Sequence, residues 1–344
     1  MRPVGNDLTP PDPDIVLDLL QGFRASKAMF AACSLGIFDA LAAGAKTLPD
    51  LAREISANVD SLQRLLDACV GLGLLERDAT GYRNSPCAAA YLCQGSPRRL
   101  TGYIRYSNDA LWQLWSHLED AVREGGHRWK QAFGWDGPIF SHFFRDESAK
   151  REFLMGMHGY GLISSPHVVA AFDLSRFRRL VDLGGATGHL AITACQRYSQ
   201  LRATVFDLPE AVPLAREIVA ASPVADRVQV VPGDFFADPL PDCDLFALGR
   251  ILHDWSEDKI IRLLTKIHGT LPADGGVLIA EKVLNDDKDG PRWAVLQNLN
   301  MLTCTEGKER TLGEYEGLLQ RVGFTEVRGY RTSSPLDAVL AIKQ

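Results

Sequence analysis

The sequence has no CxxC pair, no long apolar run and no excess of positive charge. Its seven cysteines (Cys33, Cys69, Cys87, Cys93, Cys195, Cys243 and Cys304) are scattered and odd in number, which suggests neither a zinc site nor a disulfide framework. Most lie among apolar neighbours, as buried thiols do. No apolar stretch approaches the roughly 18 residues that cross a bilayer. The opening MRPVGNDLTPPDPD carries acids and prolines before any apolar run, unlike a signal peptide. Lys plus Arg number 37 against 43 Asp plus Glu, a net charge of -6, which speaks against a nucleic-acid partner. What remains is a chain of 344 residues, 46% hydrophobic and 23% charged. That is ordinary for a globular protein and long enough for two domains or one large one. A soluble, cytoplasmic protein is expected.

The rest of the chain is organised around Val181-Asp182-Leu183-Gly184-Gly185-Ala186-Thr187-Gly188. A strand is expected before it and a helix, Leu190 to Tyr198, after it. Strand, glycine-rich turn and helix form a geometry in which backbone N–H groups approach a ligand closely. A dinucleotide fingerprint fits poorly, because Ala186 and His189 occupy its second and third glycine positions. Asp182, two residues before the first glycine, suits a ligand with a positive centre, such as the sulfonium and ammonium of S-adenosylmethionine. A second acid, Asp207, ends the next strand-like run, Ala203-Thr204-Val205-Phe206, where an acid grips a ribose diol.

Before this motif the chain reads as mostly helical. From Pro13 to about Ala43, Ile15, Leu19, Leu20, Phe23, Phe30 and Ala31 share one face, interrupted by Lys27. Gly36 and Gly44 are expected helix ends. Thr47 is expected to cap a short helix from Leu48 to Ile55, with Asp50 three residues on. Asp60 or Ser61 is expected to start another, and residues 74–84 read as strand, turn, strand. This is a winged-helix pattern. A DNA-binding reading conflicts with Asp60, Arg64 and Asp67 on its second helix, which give no basic face. The long apolar first helix is better explained by a homodimer contact. Residues 98–176 are helical and aromatic-rich: Tyr103, Tyr106, Trp112, Trp115, Trp129 and Phe133, then Trp135, Phe140, Phe143, Phe144, Phe153 and Tyr160. Rings in such number line a pocket for a flat ligand, although most belong to a core. Two helical runs, Ser148 to Tyr160 and Pro166 to Phe172, are expected here. Met155 and Met157 lie on the first, and thioethers adapt well to flat rings.

From Arg178 on, strands and helices alternate. Strands are expected at 178–183, 202–206, 227–231, 244–249 and 275–280, with helices at 189–198, 209–220 and 256–270 between them. That predicts a parallel sheet covered on both faces. A helix from Leu312 to Gln320 and two further strands, 325–331 and 337–342, allow an antiparallel final pair. Ligands bind such sheets at the carboxyl ends of the strands, and the remaining motifs fall there. Gly233-Asp234-Phe235-Phe236 offers an acid for the exocyclic amine of adenine and a ring to pack on the base. Arg250-Ile251-Leu252-His253-Asp254-Trp255 brings a histidine suited to taking a proton from a phenol-like hydroxyl. Glu281 and Glu309 are each able to fix its tautomer, and the residues alone leave that choice open. Asp254 reads as a helix cap, Arg250 as a cofactor or acid partner, and His189 as a surface residue at a helix start. No cluster of metal ligands is visible.

With these motifs the chain resembles the S-adenosylmethionine-dependent small-molecule O-methyltransferases, and within them the acetylserotonin O-methyltransferase-like branch. The likeness runs from about Gln21 to the C-terminus. It is carried by Gly22-Phe23-Arg24-Ala25-Ser26-Lys27, Thr204-Val205-Phe206-Asp207-Leu208-Pro209, Gly233-Asp234-Phe235-Phe236 and Ile251-Leu252-His253-Asp254-Trp255. Asn300-Met301-Leu302 with Thr305-Glu306-Gly307-Lys308-Glu309-Arg310-Thr311 is the most specific match. The resemblance implies an α/β protein with a Rossmann-like catalytic domain at 177–344 and an N-terminal helical, winged-helix dimerisation domain at 1–97. The aromatic substrate-cap segment, 98–176, would lie between them. It implies His253 as general base flanked by Glu281 and Glu309, and Asp207 on the ribose. Asp234, Phe235 and Phe236 would lie at the adenine, beside Asp182, Gly184 and Gly185 of the turn. Arg250 would contact the cofactor, and Tyr103, Met157 and Asn300 would lie near the acceptor in a pocket completed by the partner subunit. Ala186 departs from the family's third glycine. The implied reaction is methyl transfer to an aromatic hydroxyl of a small molecule, either a hydroxyindole such as N-acetylserotonin or a phenolic or heterocyclic natural product. Alternatives are N-methylation, non-methylating chemistry with the same cofactor, or a cofactor-sensing winged-helix regulator.

Overall fold

The computed structural model describes residues 11–137 and 147–344; Phe140, Phe143, Phe144 and most of the polar lead lie outside the described residues. The chain forms two compact units, one ending at Thr101 and one from Gly102 to Gln344.

In the first unit, the long first helix is Asp14–Ser34. Gly36, at φ +71, ends it, and the short helix Ile37–Ala40 follows. The left-handed backbone at Gly36 costs glycine little, which is why the helical pattern breaks there. Phe30, Ala32 and Cys33 are buried at the C-terminal end. Ile15, Leu19, Leu20 and Phe23 are 56–71% exposed, so the N-terminal two-thirds of the apolar face is bare within this chain. Thr47 caps the helix Leu48–Glu54. The next helix, Val59–Gly71, starts earlier than Asp60 or Ser61: Asn58 is its cap, accepting from the Ser61 amide at 3.0 Å. Asparagine caps as well as aspartate or serine, so the pattern allowed all three. Strands β1 (Leu75–Asp78) and β2 (Gly81–Asn84) pair antiparallel.

The second unit is built on a seven-stranded sheet. Its strands are β3 (Arg179–Leu183), β4 (Arg202–Asp207), β5 (Val228–Pro232), β6 (Leu245–Gly249), β7 (Gly276–Glu281), β8 (Phe324–Tyr330) and β9 (Asp337–Lys343), in the order β5-β4-β3-β6-β7-β9-β8. Strands β3 to β7 run parallel, and β9 inserts antiparallel between β7 and β8. The two-residue period of a strand is visible in β7. Leu278 and Ala280 enter one apolar core, whereas Val277 and Ile279 enter the other. A strand buried on both faces must be apolar throughout. Each buried valine, leucine or isoleucine here contributes about 1.5–3 kcal/mol of transfer free energy.

Three helical features differ from expectation. The runs Ser148–Tyr160 and Pro166–Phe172 are one helix, Glu147–Ala170, with Pro166 inside it. Proline usually ends a helix. Here Val168 and Val169, just past it, are buried in the sheet's core, and packing overrides the local signal. The helix expected from residue 209 begins at Val212, with Pro213 in its first turn, where proline is tolerated. A helix Arg292–Cys304 was not foreseen. It is apolar on most sides and gives little 3.6-residue signal.

Candidate active site

The carboxyl ends of β3, β4 and β6, with the turn that follows β5, open onto a cavity of about 460 Å³. Of the residues proposed from sequence, Gly184, Asp207, Asp234, Phe235, Phe236 and Arg250 line it, as do Tyr103, Met157, His253 and Asn300. Met155 does not; it packs beside Leu154 and Leu214.

The glycine turn is strained in a defined way. Gly184, Ala186 and Gly188 all have positive φ, +63, +49 and +78. Only Ala186 carries a Cβ there, an arrangement that costs roughly 1–2 kcal/mol. The Asp182 carboxylate does not line the cavity. It is 1% exposed and accepts the Ala191 amide at 3.2 Å, beneath the start of the helix His189–Arg197. This corrects the expectation that Asp182 meets a positive ligand centre: the carboxylate braces a helix start, where the dipole favours it. Burial pushes its pKa up to about 7. Gly185 is likewise outside the cavity wall. A Cβ there would lie 2.8 Å from Asp182 Oδ2, so its glycine serves the Asp182 packing. His189 is not a solvated surface residue either. Its Nδ1 lies 2.8 Å from Ser165 Oγ, and its ring covers Gly161.

Asp207 ends β4 with both oxygens engaged: Oδ2 accepts the Ala186 amide and Oδ1 the Leu208 amide, each at 2.7 Å. Burial raises its pKa to about 6, against the pull of those two N–H groups. Asp234 Oδ1 accepts the Phe236 amide at 2.8 Å, so it shapes its own turn while facing the cavity. Phe235, Phe236 and Trp255 pack edge-to-face, with centroids 4.8, 6.5 and 5.0 Å apart. Lys266 Nζ bonds the Phe235 carbonyl at 2.9 Å and holds this wall from behind.

Arg250 leaves β6 with φ +59. Its guanidinium lies over the rings of Tyr160 at 4.7 Å and Tyr103 at 5.8 Å. Nη1 is buried without a hydrogen-bond partner among the described residues. A guanidinium N–H left unpaired beside a cavity fits an incoming carboxylate.

His253 sits on a single 3-10 turn, Leu252–Asp254. The two glutamates flanking it do different things. Glu281, at the end of β7, accepts the amides of Ile251, Leu252 and His253 on one oxygen, at 3.1, 2.6 and 3.1 Å. Its other oxygen accepts the Tyr315 hydroxyl. Glu309 Oε1 lies 2.7 Å from His253 Nδ1, and the Glu309 amide is held by Asn298 Oδ1 at 3.0 Å. The choice left open by the sequence is thus made by contact: Glu309 touches the ring, and Glu281 holds the backbone beneath it. Burial pulls the imidazolium pKa down, but Glu309, then Asp254, outweigh it and raise it to about 9. Three ligand atoms of His253, Glu281 and Glu309 lie within 4.8 Å of one another. Glu281 has already spent both oxygens on protein donors.

Asp254 was read from sequence as a helix cap. Ser256 is instead the N-cap of the helix Glu257–Thr270, and Asp254 lines the cavity, Oδ1 3.7 Å from His253 Nε2. Burial raises its pKa to about 6. Its place next to His253 was the available signal. Tyr106 and Phe153, two of the rings expected to line a pocket, do line the cavity, and Met301 and Cys304, which were given no role, line it too. They come from helices whose facing is not legible in short motifs.

A parallel sheet with an antiparallel last pair, an acid ending β4 and a buried histidine after β6 define the class of S-adenosylmethionine-dependent methyltransferases. Within it, this chain belongs to the small-molecule O-methyltransferase family. A family profile described as O-methyltransferase domain matches residues 115–325, and one described as O-methyltransferase dimerisation domain matches residues 17–94. Bovine acetylserotonin O-methyltransferase is 39% identical over 336 residues, 96% of this chain and 97% of that protein. A human protein, "Probable bifunctional dTTP/UTP pyrophosphatase/methyltransferase protein", is 39% identical over 337 residues; 97% of this chain is matched, but only 54% of that longer protein is spanned. Among solved structures, human N-acetylserotonin methyltransferase in complex with S-adenosylmethionine has a TM-score of 0.92 at 36% identity, covering 98% of this chain and 99% of that one. A mitomycin 7-O-methyltransferase has 0.84 at 26%, covering 96% and 97%. The chain is a methyltransferase that uses S-adenosylmethionine and acts on small-molecule hydroxyl groups. No helix among the described residues is long and apolar enough to cross a membrane.

Proposed function

We propose that the acceptor is a small flat aromatic molecule, methylated on its hydroxyl, with His253 as the general base. The observation that carries this is the His253–Glu309 pair. Nδ1 is spent on Glu309, which leaves Nε2 as the free ring nitrogen of a residue in the cavity wall. Neutral His253 takes the hydroxyl proton at Nε2, and the imidazolium so formed is stabilised by Glu309. Bound S-adenosylmethionine supplies a methyl carbon on a positive sulfur that leaves as a neutral thioether. Asp207 would hold the ribose, Asp234 and Phe235 the adenine, and Arg250 the carboxylate, for which its unpaired Nη1 is suited. Holding acceptor oxygen and methyl carbon close and in line supplies much of the rate. The apolar walls from Phe153, Met157 and Met301 exclude water, so the opposite charges on sulfur and developing phenolate attract strongly before they cancel.

N-acetylserotonin is the acceptor suggested by the relatives' names, and a 5-hydroxyindole fits a cavity walled by aromatic and thioether groups. We further read the bare face of Asp14–Ser34 as the contact of a homodimer, in keeping with the dimerisation-domain match. The seven cysteines are free thiols, six of them buried, which suits a reducing cytoplasm. Incubation with methyl-labelled S-adenosylmethionine and a panel of hydroxyindoles, catechols and phenols tests the reading by mass spectrometry. Label on the hydroxyl of one class is expected. Label on nitrogen, or on none of the acceptors while cofactor binds, overturns it.

A further inference from the structure

His253 is carried by a single turn that its own bonds hold weakly. The Asp254 amide donates to the Ile251 carbonyl at 3.2 Å and the Trp255 amide to the Leu252 carbonyl at 3.4 Å, at or beyond the long end of the usual range. A 3-10 helix of one turn is too short to add more. Two buried charges from elsewhere in the chain supply what is missing. The Glu281 carboxylate takes the three amides on the N-terminal side. On the carbonyl side Arg310, 2% exposed, donates from Nη1 to the Leu252 carbonyl at 3.2 Å and to the Lys308 carbonyl at 2.9 Å. An anion on the N–H groups and a cation on the carbonyl complement the dipoles of the turn from both sides. Each charge is itself anchored. The buried Tyr315 hydroxyl donates to Glu281, and the Arg310 carbonyl accepts the Leu284 amide at 2.9 Å, just past β7. A Cβ on Gly307 would strike the His253 carbonyl, so the segment that brings Glu309 and Arg310 lies directly against the turn.

We propose that Arg310, which does not itself line the cavity, is a positioning residue for His253: its guanidinium clamps the carbonyl side of the turn opposite Glu281 and offsets the charge of the glutamates around the ring. The inference rests on His253 acting as the base. Carboxylates crowd that ring, with Glu309 on Nδ1, Asp254 3.7 Å from Nε2 and Glu281 on the backbone amide. The cations set against them are Arg310, which holds Glu281 toward its ionised form, and Arg250, which does the same for Asp254. Tyr106, Cys304 and Tyr315 complete the titratable set, each kept neutral by burial. Arg250 faces the cavity, whereas Arg310 bonds the turn. Arg310 is therefore the cation that acts on both the place and the charge of the ring.

The test compares Arg310→Gln, which keeps a donor for the Leu252 carbonyl but removes the charge, with Arg310→Lys, which keeps the charge. Histidine labelled with carbon-13 at Cε1, assigned against His253→Ala, reports the titration of the ring by NMR without turnover. Full turnover in His253→Ala would remove the base, while the NMR titration would still read the hold of Arg310 on the ring. Glu281 keeps its four donors and stays ionised when the arginine is lost. With one cation gone, the NMR titration and the limb of kcat/KM are therefore expected to move up by about one pH unit in Arg310→Gln, and to stay in place in Arg310→Lys. Above the limb, kcat should fall about tenfold in Arg310→Gln as the turn loosens, with KM for the acceptor and the Kd of S-adenosylmethionine within about twofold of wild type. An arginine that serves the fold alone would lower Tm and leave the ring's titration where it is. An unmoved titration in Arg310→Gln, or one moved to lower pH, overturns the proposal. If Arg310→Gln does not fold, Arg310→Lys carries the test, and a limb that moves although the charge is kept overturns the proposal as well.

Discussion

The two ends of the cavity are built by different means. At the end proposed for the cofactor, each acid is fixed to backbone amides. Asp234 bonds the amide two residues on, and Asp207 bonds the next amide and that of Ala186, 21 residues back on the neighbouring strand's turn. At the end proposed for the acceptor, the defining bonds join distant helices: Trp115 to Asn300 across 185 positions, and Trp129 Nε1 to the Cys304 carbonyl across 175. The first end is therefore a property of strand–turn units, and the second a property of the assembled unit. The groups that face the ligand differ accordingly. Acids held by amides suit one constant cofactor, whereas Met157 and Met301, with unbranched side chains, suit a variable partner.

The largest effect that would test this division lies where the two ends meet, at His253. His253→Ala should lower kcat by roughly 10²–10⁴-fold, the range for a lost general base. Dissociation constants for S-adenosylmethionine, from titration calorimetry, should stay within about twofold, because no cofactor-end bond runs through this ring. A matching loss of cofactor affinity would show that the two ends are one site and not two.

Glu309→Gln comes next. Against the downward pull of burial, Glu309 and then Asp254 raise the imidazolium pKa to about 9, and below that pH the free enzyme holds His253 charged. The proton on His253 therefore adds stability that is fully present below about 6.5 and is lost as pH rises through about 9. Catalysis needs the opposite form, so kcat/KM should climb with pH toward about 9 in wild type. The positive sulfur of the bound cofactor disfavours a second cation nearby, so the limb in kcat should lie lower than the limb in kcat/KM. Glu309→Gln should lower kcat by about 10–100-fold and move the kcat/KM limb to lower pH. A limb that stays in place would mean that Glu309 does not set the state of His253.

Asp207→Asn probes the cofactor end alone. It should weaken S-adenosylmethionine binding by about tenfold or more, the cost of one charged hydrogen bond, with kcat at saturating cofactor little changed. A drop in kcat with unchanged affinity would reverse the assignment of this acid.

The same division governs what was legible in the sequence. The positions of the strands along the chain, the parallel pairing, and the positions of Asp207, Asp234, Arg250 and His253 at strand ends all follow from two-residue periodicity and the strand-end rule, whereas the order of strands in the sheet does not. Asp182 misled because an acid beside a glycine turn looks the same whether it faces a ligand or braces a helix. Only its hydrogen bond to Ala191 distinguishes the two. The two glutamates were found but not told apart, since their roles depend on which backbone amides lie beneath Glu281. The helix Arg292–Cys304 carries Asn298, Asn300, Met301 and Cys304 into the site, yet its weak amphipathic pattern left it unassigned. Its facing is set by packing against Leu114 and Trp129, residues far away in the chain.

The smallest effect concerns the turn itself. Ala186 lines the cavity and sits at φ +49, so Ala186→Gly removes a Cβ from a conformation that costs an L-residue roughly 1–2 kcal/mol. Glycine also gives the unfolded chain about 0.4–1 kcal/mol more conformational entropy. The two partly cancel, and the free protein should gain between about 0 and 1.6 kcal/mol, a few degrees or less in Tm. Cofactor affinity is the sharper readout. If the methyl group crowds the ligand, the variant binds S-adenosylmethionine more tightly than wild type, and the gain in Tm with saturating cofactor exceeds the gain without it. If Ala186 instead holds its amide pointed at Asp207, glycine loosens that bond and affinity falls. The 2.7 Å bond from Ala186 to Asp207 exists with the strain already in place, which argues that the strain is offset by this contact, and for a change in affinity of less than about threefold in either direction.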